Sequence, residues 1–293
     1  MKTRATLVGF TAILMWALLA LLTAASGKMP PFQLSAICFL IGSLPGIVVL
    51  LARPERVRLL RQPAKVWMTG ILGLFGYHFL YFTALRNAPA VEASLIAYLW
   101  PLLIVTGSAL LPGERLKWNH ILGTLLGLGG TALIVGRNGV SFDSAYLVGY
   151  GAAFLCAFTW AGYSLITRRF EAVSTDVVTG FCIATSILSL VCHLALETTV
   201  WPQTGSEWLA VAGLGLLPVG AAFYAWDFGV KNGDIQILGA ASYSAPLLST
   251  LVLIVSGFAE PSLSIGIACL LVTGGAMLAA KDMILRKTAV KPA

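Results

Sequence analysis

The chain has 293 residues, of which 58% are hydrophobic and only 11% are charged, and its mean hydropathy is +0.88. Soluble globular proteins carry about 25% charged residues, so this composition excludes a soluble enzyme, a secreted disulfide-bonded domain and a disordered chain. The net charge of +7 does not point to a nucleic-acid partner, because the basic residues lie in short segments between apolar stretches. We therefore predict an all-α integral membrane protein whose surroundings are membrane lipid.

Ten apolar stretches predict transmembrane helices, since each is near the length that crosses a hydrocarbon core of about 30 Å. In chain order they are roughly 5–26, 32–52, 66–85, 91–111, 118–136, 145–167, 177–197, 207–230, 235–258 and 262–280. All 19 lysine and arginine residues fall outside these stretches. The first stretch follows Lys2 and Arg4, as in a signal peptide, but it is too long for that role and lacks a convincing cleavage site.

The basic residues predict the orientation of the helices. With the N-terminus in the cytoplasm, 16 lysines and arginines lie in cytoplasmic segments, and only three, Lys28, Arg86 and Arg137, lie outside. An excess of basic residues in cytoplasmic loops is typical of membrane proteins. The sequence therefore predicts ten helices with both termini in the cytoplasm.

The two halves of the chain resemble each other. Three residues recur 145 positions later, so that Asn87, Tyr98 and Pro101 correspond to Asn232, Tyr243 and Pro246. The segment 7–10 also recurs as 147–150, at an offset of 140. We predict two repeats of five helices, 1–140 and 141–293. Because five is odd, the second repeat enters the membrane from the opposite side, and inverted repeats are typical of secondary transporters.

Short aromatic motifs identify a family. They are Ala-Tyr-Leu-Trp-Pro-Leu-Leu at 97–103, Ala-Phe-Thr-Trp-Ala-Gly-Tyr at 157–163 and Tyr-Ala-Trp-Asp-Phe-Gly-Val at 224–230. With the duplicated ten-helix layout, they resemble the drug/metabolite transporter superfamily, and within it the EamA-type exporters of aromatic amino acids. The resemblance implies a multi-pass protein of the bacterial inner (plasma) membrane. Such a protein exports neutral amino acids, aromatic or otherwise apolar, or similar small metabolites, by alternating access and without ATP.

Aromatic residues in the middle of the helices predict a substrate cavity. A tyrosine hydroxyl that faces lipid lacks a hydrogen-bond partner, at a cost of about 1–3 kcal/mol, so these side chains are expected to face protein or water. Aromatic walls with polar tips suit a zwitterion with an apolar side chain, although ordinary packing between helices is the alternative. The predicted substrate-binding residues are Trp16, Tyr77, His78, Tyr81, Tyr98, Trp100, Trp160, Tyr163, Tyr224, Asp227 and Tyr243.

Acidic residues within the membrane are functional candidates by default. Asp227 is the only acid deep in a predicted helix, and it could bind a substrate amine, take a proton, or serve as a hydrogen-bonded strut. These roles stay open, as does the question whether the neighbouring Trp226 faces lipid or protein. Glu92 and Glu197 lie near helix ends and are expected to reach water.

Prolines and glycines predict movement and packing. Pro101 and Pro246 occupy matching positions and are candidate paired hinges, with static curvature as the alternative. The fifth and tenth stretches are rich in glycine, which favours close helix packing. That packing predicts a scaffold or an interface, and it leaves a homodimer open.

Other functions were compared with export. A proton-coupled multidrug or metabolite antiporter of the same fold is the main alternative, and it would depend on Asp227. A transporter of sugar conjugates would favour basic residues deep in the helices to meet phosphate, and all 19 lysines and arginines fall outside the predicted stretches. An intramembrane enzyme is remote, because the sequence has neither an H-E-x-x-H nor a G-x-S-x-G motif. The five cysteines have no metal-binding spacing, and we expect neither a metal nor a cofactor.

Overall fold

The computed structural model describes residues 2–136, 138–257 and 260–281, all of them in helices or their connections. Nine of the described helical segments are long and apolar enough to cross a membrane, and we number them spans 1 to 9. They are Lys2–Ala25, Pro31–Ala52, Ala64–Asn87, Ala90–Leu110, Trp118–Val135, Ser144–Arg168, Val177–Leu196, Gly205–Asn232 and Ile235–Val255. A shorter apolar helix, Leu263–Ala279, follows and is called helix 10.

The ten elements match the ten predicted stretches in order, within a few residues at each end. Part of the predicted orientation rests on Arg137 and on basic residues beyond position 281, which lie outside the described residues. The Lys231 side chain is placed differently from the prediction, because the last helix of span 8 continues to Asn232. Lys231 therefore lies in the span and is buried, rather than in a connector.

Two spans contain a π turn at equivalent positions. Span 3 consists of helix Ala64–Ile71, π turn Leu72–Gly76 and helix Tyr77–Asn87, and span 8 consists of helix Gly205–Leu216, π turn Leu217–Ala221 and helix Ala222–Asn232. The bounds of the two π turns, and of the helices after them, differ by 145 positions in each case. Even the last residues behave alike, since the amides of Asn87 and Asn232 each donate to the carbonyl four residues earlier. The internal repeat predicted from the sequence is therefore present in the backbone.

Two further spans are broken near their middle, again at equivalent positions. Span 4 divides into Ala90–Ala97 and Trp100–Gly107, and span 9 divides into Ile235–Ala241 and Ser244–Val255. Pro101 and Pro246 each lie in the first turn after the break. The predicted hinges therefore sit where the helical hydrogen bonding is already interrupted, and their movement stays a prediction.

The register of spans 1 and 6 corrects one sequence comparison. The buried residues Ala5, Gly9, Ala12 and Ile13 of span 1 coincide with Gly149, Ala153, Cys156 and Ala157 of span 6 at an offset of 144. The match of segments 7–10 and 147–150, at an offset of 140, is thus wrong as a structural register. The error is about one helical turn of 3.6 residues, which keeps the apolar face of the helix but shifts its depth.

Span 5 and helix 10 were expected to pack through glycine, and they pack against each other. A side chain at Gly123 would collide with the backbone of Gly275 and Ala279, and one at Gly130 would collide with Val272. Small residues let two helices approach closely in a membrane. This glycine face is therefore used within the chain, whereas Gly129, Gly266 and Gly274 on the same two helices meet nothing within 4 Å. A homodimer stays a prediction.

Polar networks join the spans at both ends of the bundle. The end that carries Lys2, Arg168 and Lys231 is called the near end, and the end that carries Arg86 and Glu197 is called the far end. At the near end, Arg168 donates to Glu114 (2.7 Å) and to the carbonyl groups of residues 230 and 231. These bonds join spans 6 and 8 to the segment after span 4.

At the far end, the Glu197 carboxylate lies between spans 2, 3 and 7. It pairs with Arg86 (2.8 Å) and His193 (3.0 Å), and it accepts the backbone N–H groups of Phe32 and Gln33 (3.1 Å) at the start of span 2. Only 2% of the Glu197 side chain is exposed. The expectation that this residue reaches water is therefore wrong, because a helix N-terminus and two basic side chains satisfy the carboxylate inside the protein.

Glu92 is also buried rather than solvated. Its carboxylate accepts the backbone N–H of Ser141 (2.8 Å), in the segment that joins the two halves. Charged side chains near helix ends are usually exposed. Here the acid ties span 4 to that connection instead.

Candidate substrate-binding site

Four tryptophans from four spans meet at the centre of the bundle. Trp16, Trp100, Trp160 and Trp226 come from spans 1, 4, 6 and 8 and form the tryptophan cluster. Ring centroids lie 5.2 Å apart for Trp16 and Trp226, and 5.8 Å apart for Trp16 and Trp160. Trp226 has no exposed surface, so it faces protein and not lipid.

A second group of rings from span 3 lies beside the tryptophan cluster. Tyr77 packs on Trp160 (5.4 Å between centroids) and stacks on Tyr81 (6.1 Å). His78 packs edge-on against Phe223 (6.2 Å). Tyr98 of span 4 neighbours Tyr77 and Tyr81. Together these rings and the tryptophan cluster form one continuous group of ring contacts that we call the aromatic basin.

The π turn of span 3 positions this second group. Tyr77 and His78 are the first two residues after the turn, and an extra residue in a helical turn offsets the face that follows it. Within the turn, Gly73 packs directly against the Tyr163 ring of span 6, where any side chain would collide. Glycine therefore allows span 3 to approach span 6 closely enough for Tyr77 to reach Trp160.

Burial divides the basin into a floor and a wall. Trp100, Trp160 and Trp226 are exposed by only 6%, 3% and 0%. Trp16, Tyr77, His78, Tyr81 and Tyr98 are half-buried. The wall residues Tyr77, His78 and Tyr81 lie in the half of span 3 that ends at the far end. The half-buried rings therefore include those on the half of span 3 that leads to the far end.

Five polar atoms in the basin have no protein partner among the described residues and are not sealed from solvent. They are the hydroxyls of Tyr77 and Tyr98, Nε2 of His78, and Nε1 of Trp100 and Trp160. Nδ1 of His78 is occupied, since it bonds to the Leu74 carbonyl (2.7 Å). Four of these five atoms, the two tyrosine hydroxyls and the two indole nitrogens, carry a hydrogen that they can donate. The basin therefore offers hydrogen-bond donors to a ligand.

The other predicted residues have polar groups that the protein already uses. Trp16 Nε1 donates to the Pro218 carbonyl (3.1 Å), and the Tyr81 hydroxyl shares a hydrogen bond with Ser94 (3.3 Å). The Tyr224 hydroxyl donates to Thr179 of span 7 (3.1 Å), away from the tryptophan cluster. These three groups hold spans together in the present conformation.

Two predicted tyrosines are buried in packing. The hydroxyls of Tyr163 and Tyr243 are sealed from solvent. The Tyr243 ring lies against Gly127 of span 5, in an apolar cluster with Val272 and Ile265. The structure therefore brings Tyr163 beneath the basin and leaves Tyr243 outside it.

Asp227 is paired inside the protein. Its carboxylate accepts from Lys231 (2.8 Å) and Thr175 (2.6 Å), and Lys231 also donates to the Val173 carbonyl (3.0 Å). Both charged side chains are buried, with 1% of Asp227 and 3% of Lys231 exposed. The adjoining cavity has a volume of about 10 Å³, which is room for about one water molecule.

Sequence reasoning missed the partner of Asp227. The signal was present, because an acid and a base four residues apart share one face of a helix. It was overlooked because Lys231 was assigned to a connector. Phe39 and Phe223 were also missed. Their rings stack at 5.5 Å and line the basin beside His78, but nothing in their spacing separates them from ordinary core phenylalanines.

The EamA-like transporter family matches this chain twice, over residues 3–136 and 147–280. The aromatic amino acid exporter YddG of Ancylobacter novellus is 55% identical over 280 residues, which cover 95% of this chain and 97% of that protein. The exporter of the same name from Escherichia coli is 26% identical, with 94% and 97% of the two chains covered. The pseudopaline exporter CntI of Pseudomonas aeruginosa is 28% identical over 74% of this chain and 75% of that protein.

A crystal structure also resembles the fold described above. It superposes with a TM-score of 0.92 at 55% identity and covers 96% of this chain and 98% of the solved one. At that coverage the agreement extends across both halves of the chain. The prediction of a multi-pass membrane transporter, rather than an enzyme, is confirmed. The chain belongs to the EamA-like transporter family.

Proposed function

We propose that this protein exports neutral amino acids, aromatic or otherwise apolar, or similar small metabolites, across the bacterial inner membrane. One observation carries the proposal, namely the basin of stacked rings whose edges hold five polar atoms without protein partners. The exporters YddG are named for aromatic amino acids, and their similarity over nearly the whole chain supports the same class of substrate.

The proposed mechanism is alternating access by two inverted repeats of five transmembrane helices, 1–140 and 141–293. In this topology both termini and the near end are cytoplasmic. The 16-to-3 distribution of basic residues supports that orientation. The matched π turns in spans 3 and 8 support two exchangeable halves. The half-buried rings on the far-end half of span 3 support an outward-open assignment of the present conformation.

The basin suits a zwitterion with an apolar side chain. A substrate carboxylate would accept from the indole N–H groups of Trp100 and Trp160 and from the hydroxyl of Tyr77. The ammonium group would lie over a ring face, where a cation is attracted by the π electrons. The apolar side chain would replace water against the remaining rings. No free acid faces the described part of the basin, so the second ammonium group of a lysine substrate would stay unpaired.

Buried charges favour a facilitator over proton coupling. A coupled antiporter of this fold needs an acid that is free to bind a proton or a substrate. Asp227 is the most buried acid among the described residues, and it is paired with Lys231 and accepts a hydrogen bond from Thr175. Replacing this internal partner by a proton would leave a lysine charge buried without a partner, which is costly.

Transport by purified protein in liposomes tests both parts of the proposal. We expect saturable uptake of labelled phenylalanine and tryptophan, weaker uptake of alanine and none of lysine, with no requirement for a pH gradient. Flux only under a pH gradient would replace the facilitator by the coupled antiporter. Absence of flux of any amino acid, from protein shown to be folded, would remove the substrate assignment.

A further inference from the structure

Spans 1 and 6 carry a tryptophan at the same position of the repeat. Trp16 and Trp160 lie 144 positions apart, in the register that aligns the buried residues of these two spans. Their ring centroids are 5.8 Å apart. Each span also packs against the π turn of the other half, span 1 against Leu217–Ala221 and span 6 against Leu72–Gly76.

Only one of the two indoles donates to a π turn. Trp16 Nε1 bonds to the Pro218 carbonyl (3.1 Å). The residue that corresponds to Pro218 is Gly73, 145 positions earlier. Trp160 Nε1 has no protein acceptor among the described residues, although Gly73 contacts Tyr163, one turn further along span 6. The two halves therefore carry the same pair of a tryptophan and a π turn, and the hydrogen bond between them is formed in only one of the two pairs.

We propose that the hydrogen bond from Trp16 to Pro218 latches the present conformation, and that an equivalent bond from Trp160 to Gly73 latches the opposite one. The proposal rests on the alternating access described under the proposed function. When the two halves exchange conformations, each π turn gains or loses its indole donor. In each state one indole N–H is held by a π turn, and the other faces the basin.

This exchange assigns opposite effects to two rings that touch each other. Loss of the Trp16 N–H removes a hydrogen bond from the present conformation alone and shifts the population toward the opposite one. Loss of the Trp160 N–H shifts the population toward the present conformation. One net hydrogen bond corresponds to a change of roughly twofold to tenfold in the equilibrium between two states. A purely structural role would shift both variants in the same direction.

Paired cysteine reporters can read the two populations without substrate. Val230 is fully buried toward the near end, and Leu85, 145 positions earlier, is half-buried toward the far end. Each is replaced by cysteine in a protein whose native cysteines are alanine. The native cysteines are Cys38, Cys156, Cys182, Cys192 and Cys269. The rate of modification by a charged maleimide is measured in lipid nanodiscs, where both ends are accessible.

We expect Trp16→Phe to accelerate modification at Val230→Cys and to slow it at Leu85→Cys, each by roughly twofold to tenfold. Trp160→Phe should do the reverse. If either variant fails to fold, benzothienylalanine at the same position keeps the ring size and removes only the N–H. Shifts in the same direction for both tryptophans, or no shift in either, would overturn the latch.

The same reporters separate this proposal from the proposed function. In the protein with both tryptophans, modification rates that do not change with saturating phenylalanine, together with an absence of flux, would count against alternating access itself. Reporters that respond to phenylalanine, in a protein that transports it, would leave that mechanism standing. A failure of the tryptophan variants to shift in opposite directions would then refute the latch alone.

Discussion

Spans 3 and 8 are two copies of one construction that are used differently. Each consists of a helix, a π turn and a second helix, with bounds that correspond at 145 positions. After the π turn, span 3 presents Tyr77, His78 and Tyr81 half-buried on the basin wall, whereas span 8 presents Phe223 and Trp226 buried in its floor.

The last turns of these two spans differ in the same sense. Arg86 and Lys231 correspond in the repeat, and 44% of the Arg86 side chain is exposed against 3% of the Lys231 side chain. The basic residue of span 8 is therefore packed inside the protein, and that of span 3 stays in contact with solvent. Two spans with the same backbone construction therefore pack differently, with a buried basic residue at the near end and a partly exposed one at the far end.

The largest loss of stability is expected from removing the buried Lys231 charge at the near end. Lys231→Met leaves the Asp227 charge buried without a cation, and such a change costs about 3–5 kcal/mol of stability. The thermal unfolding of the purified protein in detergent measures this loss. Asp227→Asn in the same chain should restore most of it, because the buried charge is then removed.

The corresponding change at the far end, at Arg86, is the control. Arg86→Gln leaves Glu197 with His193 and two backbone N–H groups, so the loss should be much smaller. Equal losses of stability in Lys231→Met and Arg86→Gln would contradict the contrast between the two ends.

The sequence predicts the frame of this protein better than its interior. Composition, the ten apolar stretches and the offset of 145 positions depend on repeated local patterns, and they lead to the two halves. The family was indicated by the resemblance of three short aromatic motifs. The central rings were also predictable, since mid-membrane tyrosine and tryptophan need a partner away from lipid.

Which of those rings keep a free polar atom was not predictable. Tyr98 and Tyr243 occupy the same repeat position, yet Tyr98 borders the basin and Tyr243 packs on Gly127. That difference depends on distant neighbours and on the conformation that each half adopts. The pair of Asp227 and Lys231 was hidden for a simpler reason, which is the uncertainty of a helix end by a few residues.

A second, smaller effect is expected where spans 1 and 8 touch. The backbones of Gly9 and Gly229 meet at this contact, and a methyl group at Gly229 would collide with the Gly9 backbone. The equivalent residues in spans 6 and 3 are Ala153 and Ala84, which are buried in a common apolar cluster. The contact between spans 1 and 8 thus requires glycine, whereas the equivalent contact between spans 6 and 3 is made by alanine.

Gly229→Ala should therefore destabilise the protein by about 1–3 kcal/mol, the usual cost of overpacking. The control is Gly151→Ala in span 6, where a methyl group meets nothing within 4 Å. That control should be neutral or slightly stabilising, because alanine favours helix more than glycine does. Midpoints of thermal unfolding compare the two variants, and a Gly229→Ala protein as stable as the control would show that close contact is not needed here.

The smallest effects are expected from single hydroxyl groups on the open wall. Tyr77→Phe and Tyr98→Phe remove an oxygen that has no protein partner and keep the ring in place. If these hydroxyls bind substrate, each change should raise the substrate concentration for half-maximal uptake by roughly twofold to tenfold, with little change in stability.

The matched control for these changes is Tyr224→Phe, whose hydroxyl is bonded to Thr179. Losing that bond should lower the thermal midpoint and leave half-saturation unchanged, because the group lies away from the tryptophan cluster. The comparison separates substrate binding from ordinary packing. A hydroxyl that only packs should leave the substrate concentration for half-maximal uptake unchanged. Wild-type half-saturation in both Tyr77→Phe and Tyr98→Phe would remove these hydroxyls from the substrate site and leave recognition to the ring faces and the indole N–H groups.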